Sequence, residues 1–149
     1  QPGQPEQAAP AVAAVLDDLH AAAAAADGDR YFAHFAPDAV FFGTAPDERW
    51  SISEFESYGR ARFQQGDGWT YHVTDRSVFL AADGRTAWFD EALFNVHNGT
   101  ETARYGVTRG TGVLIRLQGA WRIAQYNLTI PIPDGLTERV VSLIRGERP

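Results

Sequence analysis

The period of the hydrophobic pattern changes near Trp69, and this change constrains the fold more than any other feature of the 149-residue chain. Before Trp69, apolar residues recur every three or four positions, as on one face of a helix. After it they alternate, as in half-buried strands. The alternating part predicts four strands, at 69–81, 85–98, 101–117 and 120–130, joined by Asp83-Gly84, Asn98-Gly99 and Gln118-Gly119, which are typical of tight hairpin turns. Helices followed by an antiparallel meander predict an α+β fold, with helices packed on one side of a curved sheet.

The helical part of the chain predicts three helices and one short strand. The first helix follows an apolar stripe over residues 12–26 with Pro10 in its first turn, and Asp29 can cap a shorter second helix. Residues 39–42 are a strand candidate. The sequence Ser-Ile-Ser-Glu at 51–54 is a capping box, which predicts the start of a third helix. Residues 136–144 predict a short terminal helix.

Composition limits the classes of function. The chain has no cysteine, which excludes disulfides, zinc-thiolate sites and a cysteine nucleophile. A formal net charge of -6 argues against a nucleic-acid surface, and no apolar run approaches the ~20 residues of a membrane span. His72 and His97 fall diagonally adjacent, but a third ligand is lacking, so we predict neither a metal nor another cofactor.

The domain organisation is simple. Residues 1–10 are rich in proline and glutamine and predict a flexible leader, followed by a single domain over 11–146. The leader fits the mature end left after a signal peptide is removed, and it fits a trimmed end equally well. An exported (periplasmic or secreted) and a cytoplasmic location therefore both stay open.

Two-residue turns fix which strand residues share a face. They pair Asp90 with Val107 and Trp88 with Arg109, and they place Tyr126 opposite Thr111. One face then collects most of the apolar side chains together with Asp90, Arg109 and Tyr126, and we expect the helices to cover this face. A bulge or a longer loop would invert part of the register, and Glu91 and Asn127 would then face inward.

Four segments carry a resemblance to a known family: 44–50 (TAPDERW), 87–91 (AWFDE), 109–116 (RGTGVLIR) and 121–133 (WRIAQYNLTIPIP). They resemble the SnoaL-like branch of the nuclear transport factor 2-like (ketosteroid isomerase-like) superfamily. The resemblance implies a cone-shaped, cystatin-like α+β barrel whose helices enclose a pocket, and homodimers that form through the outer sheet face. The superfamily includes isomerases, polyketide cyclases, dehydratases and oligomerisation modules. The first helix lacks the tyrosine of the ketosteroid isomerase pattern and has histidine at position 20.

The sequence supports three hypotheses. In the first, Asp90 is the base of an enzyme that moves a proton next to a carbonyl, and Tyr126 and Arg109 stabilise the oxyanion. Its structural alternative is a buried Asp90–Arg109 ion pair. In the second, the protein binds a small apolar or aromatic ligand without catalysis, and in the third it is an oligomerisation module. The expected ligand-binding aromatics are Trp50, Tyr71, Trp88 and Tyr105, whose alternative role is core packing.

Overall fold

The computed structural model describes residues 5–96 and 106–148. Four helices and six strands follow one another along the chain, with a 3-10 turn at Asp134–Leu136 before the last helix. In chain order they are α1 (Pro5–Ala24), α2 (Gly28–Phe32), β1 (Phe35–Phe42), β2 (Arg49–Ser51), α3 (Ile52–Gln64), β3 (Thr70–Leu80), β4 (Thr86–Val96), β5 (Val107–Leu117), β6 (Ala120–Thr129) and α4 (Thr137–Ile144). The fold is the predicted α+β class, a six-stranded curved sheet with N-terminal helices.

The sheet has the strand order β2-β1-β6-β5-β4-β3. Strands β3 to β6 form the predicted antiparallel meander, while β1 runs parallel to β6. Gln118 and Gly119 both adopt positive φ and join Leu117 to Ala120 in a tight turn, as predicted. The Asn98-Gly99 turn lies outside the described residues.

Some element boundaries differ from the prediction. Helix α1 begins at Pro5, within the segment predicted as a flexible leader, so that Pro10 lies inside the helix. Asp27, not Asp29, caps α2, because its side chain accepts a hydrogen bond from the Arg30 amide. Strand β1 extends back past Pro37, where an irregularity in the β1–β6 pairing accommodates the missing amide hydrogen. The capping box of Ser51 and Glu54 is confirmed.

The core lies between α1, α2, α3 and one face of the sheet. Its aliphatic part joins Leu16 and Leu19 of α1 to Leu93 and Leu114 of the sheet, all of them at most 2% exposed. A cluster of mutually contacting aromatic rings fills the region around α2 and α3: Tyr31, Phe32, Phe35, Phe55, Phe63 and Trp69. This packing fixes the helices over one side of the sheet and defines the covered face.

The strand registers differ from the predicted ones in two ways. Asp90 pairs with Thr111 and Trp88 with Val113, an offset of four residues from the predicted β4–β5 pairing that leaves the facing of each side chain unchanged. Irregularities in β3–β4 after Val73 and in β5–β6 before Leu114 each shift the pairing by one residue. A shift of one residue moves every side chain beyond it to the other face.

The predicted covered face was wrong throughout β4 and β5, because the side with more large apolar residues was taken as the covered one. The buried side chains of β4 are Ala87, Phe89, Glu91, Leu93 and Asn95, whereas Asp90 is exposed. In β5, Thr108, Gly110, Gly112 and Leu114 are buried, and Arg109 is exposed. The covered face carries glycines and polar side chains where the chain packs closely, and the outward face carries large apolar ones, so the apolar count favoured the wrong side.

Candidate active site

A pocket of about 530 Å³ opens between the helices and the covered face of the sheet. Its wall combines residues from α1, α3, the β1–β2 connection and strands β3, β4 and β6. The lining combines aromatic rings with charged and polar groups: Leu19, His20, Phe41, Glu48, Trp50, Phe55, Tyr58, Arg62, Asp67, Trp69, Tyr71, Asn95, Tyr126 and Leu128 are among its members. A concave cavity in which polar groups converge beside aromatic side chains is a candidate small-molecule site.

Stacked rings form one wall of the pocket. Phe41 is parallel to Phe55 at a centroid distance of 3.9 Å and to Tyr126 at 5.6 Å. Trp50 packs against Phe55 at 5.4 Å and against Tyr58 at 4.6 Å. These contacts hold the rings of this wall in fixed orientations.

Glu91 is the centre of a buried polar cluster next to the pocket. The residue is 1% exposed, and its carboxylate has three side-chain partners. Oε2 lies 2.9 Å from Nε2 of His20 and accepts a hydrogen bond of 3.3 Å from the Tyr126 hydroxyl. Oε1 accepts a bond of 2.6 Å from Nε of Arg76. His20 and Tyr126 line the pocket, so Glu91 supports two groups that a ligand can reach.

Arg76 connects this cluster to helix α1. Its Nη1 donates to Oδ1 of Asp17 at 2.7 Å and to the carbonyl oxygen of Ala13 at 3.3 Å. Asp17 and Ala13 precede His20 by three and seven residues in α1. Through these bonds and its bond to Glu91, Arg76 links helix α1 to strand β4. A buried carboxylate is tolerated only when it is paired and hydrogen-bonded, and Arg76 provides the permanent charge that Glu91 needs.

The electrostatics keep Glu91 charged and Tyr126 neutral. Burial alone would raise the pKa of Glu91, but the hydrogen bond from His20 and the guanidinium of Arg76 together hold it below its ordinary value. Burial, reinforced by the charge of Glu91, raises the pKa of Tyr126 well above its ordinary value. At neutral pH the cluster therefore presents a carboxylate that accepts hydrogen bonds and a phenol that donates them.

The ionised Glu91 fixes the tautomer of His20. A carboxylate can only accept, so Nε2 of His20 must carry the hydrogen in their 2.9 Å contact. In the neutral ring the lone pair then resides on Nδ1. His20 can thus accept a proton at Nδ1 while Glu91 orients the ring through Nε2.

The structure brings only some of the predicted site residues together. Tyr126, Trp50 and Tyr71 line the pocket. Tyr126 does so because the β5–β6 irregularity pairs it with Gly112 instead of Thr111. Tyr105 lies outside the described residues.

The other predicted residues lie on the outward face. Asp90, Arg109 and Trp88 are exposed there, which corrects their predicted inward placement. Of the two alternatives considered for an inverted register, Glu91 is inward. Asn127 follows the pattern of its outward neighbours Gln125 and Thr129, because the same irregularity that turned Tyr126 inward turned Asn127 outward.

Sequence reasoning missed His20, Arg76 and Asn95. His20 follows Leu19 and stands four residues after Leu16 on the apolar stripe of α1, and this position could have indicated that it faces the sheet. Asn95 lines the pocket and donates to the carbonyl oxygen of Thr70 at 3.2 Å, which leaves its second amide hydrogen for another acceptor. Arg76 lies opposite Glu91, as a two-residue turn at Asp83-Gly84 predicts, but the expected facing of β4 put both side chains on the outward face.

The described residues show neither a group of metal ligands nor a membrane-spanning helix. Over 5–96 and 106–148, no group of three histidine, aspartate or glutamate side chains is arranged to hold a metal ion. No helix in the same ranges has both the length and the apolarity needed to cross a bilayer.

Comparisons with known proteins agree with this architecture. The family model of the SnoaL-like domain matches residues 12–133. None of the curated proteins compared with the chain matches it. A nuclear transport factor 2-like protein of unknown function from Pseudomonas putida KT2440 has a TM-score of 0.75 at 16% identity, over 89% of this chain and 92% of that one.

Two further solved structures have the same fold. A candidate dehydratase of the nuclear transport factor 2-like family from Streptomyces avermitilis has a TM-score of 0.69 at 12% identity, over 87% of this chain and 100% of the other. An uncharacterised protein with a cystatin-like fold from Caulobacter vibrioides has a TM-score of 0.68 at 18% identity, over 92% and 97% of the two chains. At these identities the likeness establishes the fold alone.

Proposed function

The chain belongs to the SnoaL-like domain family, and we propose that it is an enzyme that transfers a proton next to a carbonyl group of a small aromatic molecule bound in the pocket. The contact between Nε2 of His20 and the buried, ionised Glu91 carries this proposal. It places an oriented imidazole, the commonest general acid–base group in enzymes, at the wall of an aromatic cavity.

In this proposal His20 is the group that moves the proton. Nδ1 removes the proton from the carbon next to the carbonyl, and the ring becomes an imidazolium. Glu91 stabilises that cation through the bond at Nε2, as the acid of a catalytic triad does for its histidine. Arg76 keeps Glu91 ionised, so the carboxylate does not take the proton itself.

Two neutral donors can stabilise the enolate oxygen. Tyr126 stays protonated because its pKa is raised, and its single hydroxyl hydrogen, which bonds Glu91 at 3.3 Å, turns from the carboxylate to the enolate oxygen in this proposal. Asn95 has a second amide hydrogen beyond the one used by Thr70. Donors that act in a site closed to water stabilise developing negative charge strongly.

The same first step serves three reactions. In a β,γ-unsaturated ketone, return of the proton from His20 to the γ carbon completes an isomerisation. Attack of the enolate carbon on a second carbonyl forms a carbon–carbon bond and an alkoxide, and the alkoxide takes the proton from His20 to complete a cyclisation. Donation of the proton to a departing hydroxyl group releases water and completes a dehydration. The fold shared with the Streptomyces avermitilis dehydratase candidate is compatible with the last of these.

The enzyme proposal is tested by hydrogen exchange, which needs only the shared first step. We expect the protein to accelerate incorporation of deuterium from D₂O into the acidic positions of an uncharged bicyclic ketone such as 2-tetralone, followed by proton NMR. His20→Gln should lower the protein-catalysed rate by about 10²-fold or more, the range of general-base contributions. His72→Gln is the matched control, because His72 is exposed on the outward face.

The outcomes separate the proposed enzyme from a binder. Equal loss of rate in both histidine variants would contradict the role of His20. Binding of 2-tetralone, seen as a rise in melting temperature, without accelerated exchange would instead favour the non-catalytic ligand binder. Absence of both effects would favour the oligomerisation module.

The outward face of the sheet favours a homodimer, which we propose as the assembly of this protein. Phe79 and Trp88 are each 46% exposed and stack on one another at 5.9 Å, and Val107 on the same face is 60% exposed. Large apolar side chains grouped on one exposed face are typical of an interface between copies. A two-fold dimer uses such a face on both partners.

Sedimentation velocity tests the homodimer. We expect the wild-type protein to sediment as a dimer and Trp88→Arg to shift it towards monomer, because the charge would be buried at the centre of the interface. Leu143→Arg makes the same kind of change at an exposed leucine of α4 and should leave the dimer intact. A monomeric wild type, or dissociation by Leu143→Arg alone, would contradict this assembly.

A further inference from the structure

The wall of the pocket contains an ion pair at the end of helix α3. Nε and Nη2 of Arg62 donate to the same oxygen of Asp67, Oδ2, at 3.2 and 3.1 Å. Nη1 donates to the Tyr58 hydroxyl at 3.2 Å. All three side chains line the cavity. The positive charge of the Arg62 guanidinium at the pocket wall is therefore compensated by the Asp67 carboxylate.

The backbone holds Asp67 in this position. Gly66 adopts a φ of +75°, which turns the chain at the end of α3, and the Asp67 amide donates to the carbonyl oxygen of Arg62 at 3.1 Å. At Gly68, any Cβ would overlap the carbonyl oxygen of Ala23, so the turn packs directly on α1. The Trp69 amide, which donates to Ala23 at 3.2 Å, secures the same contact. These backbone contacts fix the position of Asp67 beside Arg62.

Aromatic rings hold the other side of the guanidinium. Arg62 lies over the ring of Trp69 at 5.2 Å and near that of Tyr58 at 5.9 Å. Such contacts orient the guanidinium plane and restrict its movement towards a ligand. Arg62 is the one basic residue other than histidine among the described lining residues, so an anionic ligand meets no uncompensated permanent cation there.

A second carboxylate, from the β1–β2 connection, also lines the cavity. Oε1 of Glu48 accepts a hydrogen bond of 2.9 Å from the Ala45 amide, and the side chain lies against Gly43, where a Cβ would come within 2.9 Å of it. The described lining thus carries two carboxylates and one guanidinium, while the ionised Glu91 behind His20 is paired with Arg76 and adds no net charge. The balance of charge around the ligand is negative.

We infer that the pocket selects uncharged aromatic ligands over aromatic carboxylates, and that Asp67 sets this selectivity by occupying Arg62. The inference rests on the proposed function, because it concerns the substrate of the same pocket. A ligand carboxylate that approached Arg62 would lie beside Asp67, and like charges at that distance repel each other. An uncharged ring keeps the aromatic contacts without this cost.

Two probes with the same ring system test the inference. At pH 7, 2-naphthol is neutral and 2-naphthoate is an anion, and isothermal titration calorimetry gives the affinity of each. We expect the wild-type protein to bind 2-naphthol at least about tenfold more tightly. Asp67→Asn keeps an acceptor for Arg62 but removes the charge, and should tighten 2-naphthoate binding by about fivefold to tenfold while changing 2-naphthol binding little.

Two further variants identify the cause of the gain. Glu48→Gln removes the same charge from the lining without releasing a guanidinium, and should tighten 2-naphthoate binding less than Asp67→Asn does. Adding Arg62→Gln to Asp67→Asn should cancel the gain. Equal gains in Asp67→Asn and Glu48→Gln, or a gain that survives Arg62→Gln, would overturn the role of Asp67.

The result also separates this inference from the proposed function. Equal affinity of the wild-type protein for the two probes overturns the charge selectivity and leaves proton transfer untouched. Selective binding of 2-naphthol together with absent hydrogen exchange overturns the enzyme and supports the selectivity. Failure of both probes to bind contradicts the inference and the ligand-binding pocket together.

Discussion

Asp90 and Glu91 are adjacent carboxylates in strand β4, yet they have opposite surroundings. Asp90 is exposed on the outward face beside large apolar side chains, whereas Glu91 is buried on the covered face with His20, Arg76 and Tyr126 around it. Successive side chains of a strand point to opposite faces, so a difference of one position leaves one acid in solvent and buries the other. The difference shows that a polar cluster, and not a high apolar content, marks the functional face here.

The largest contrast should appear in stability. Glu91→Ala removes the carboxylate but leaves Arg76 and His20 partly buried, and should lower the free energy of unfolding by about 3–5 kcal/mol. Asp90→Ala, on the exposed side, should change it by about 0.5 kcal/mol or less. Urea denaturation followed by circular dichroism measures both. Similar losses in the two variants would contradict the assignment of the faces.

A second contrast concerns neighbouring residues of β5. A Cβ on Gly112 would overlap the backbone carbonyl oxygen of Gln125 and come within 2.9 Å of the Phe89 ring, so Gly112→Ala should destabilise the protein by about 1–3 kcal/mol. Thr111→Ala, one residue away with an outward side chain, should cost less than about 1 kcal/mol. The midpoints of urea unfolding compare the two, and an equally tolerated Gly112→Ala would show that the covered face is loosely packed.

A smaller effect should appear in acid. The pKa of Glu91 lies below its ordinary 4.5 in the folded state, so its ionised form stabilises the fold above that pH, and the contribution is lost as the pH falls through the folded value. Gln mimics the protonated acid. The stability difference between wild type and Glu91→Gln should therefore be largest above pH 4.5 and shrink below it.

Asp18 provides a reference for this titration. Its hydrogen bond from Arg30, with a second from His34, lowers its pKa from 3.8 to about 2. The contribution of Asp18 should therefore be lost as the pH falls from about 3.8 to about 2, and Asp18→Asn should remove this part of the pH dependence. A wild-type advantage over Glu91→Gln that grows as the pH falls would contradict an ionised Glu91.

The sequence predicted the fold better than it predicted the site. Period and turn residues gave the order of helices and strands, and the Ser51–Glu54 capping box and the Gln118-Gly119 turn are where local chemistry required them. The irregularities near Thr74 and Ala124 are set by packing between distant segments, and no turn residue marks them. Each irregularity moves the side chains beyond it to the other face of the sheet. Tyr126 was predicted to face inward opposite Thr111, and it does face inward, but opposite Gly112.

The inward placement of Asp90, the predicted base, was wrong for a related reason. Gly110 lies on the covered face, where a Cβ would come within 2.5 Å of the Tyr126 hydroxyl oxygen, so a larger residue does not fit there. A glycine adds nothing to an apolar count, although it marks the closest packing. Glu91 adds a charge to the same face, and although the Asp83-Gly84 turn pairs it with Arg76, a charged pair does not raise the apolar count of that face.

The most direct test compares the two adjacent acids in one assay. Glu91→Gln and Asp90→Asn make the same chemical change one residue apart, and each variant is first checked for folding by circular dichroism. Deuterium exchange into 2-tetralone then gives the catalytic rate. We expect Glu91→Gln to lose about 10²-fold or more, because an uncharged partner no longer stabilises the His20 imidazolium, and Asp90→Asn to stay within about twofold of wild type. A folded Glu91→Gln with the wild-type rate, or an Asp90→Asn variant that loses the activity, would contradict the account.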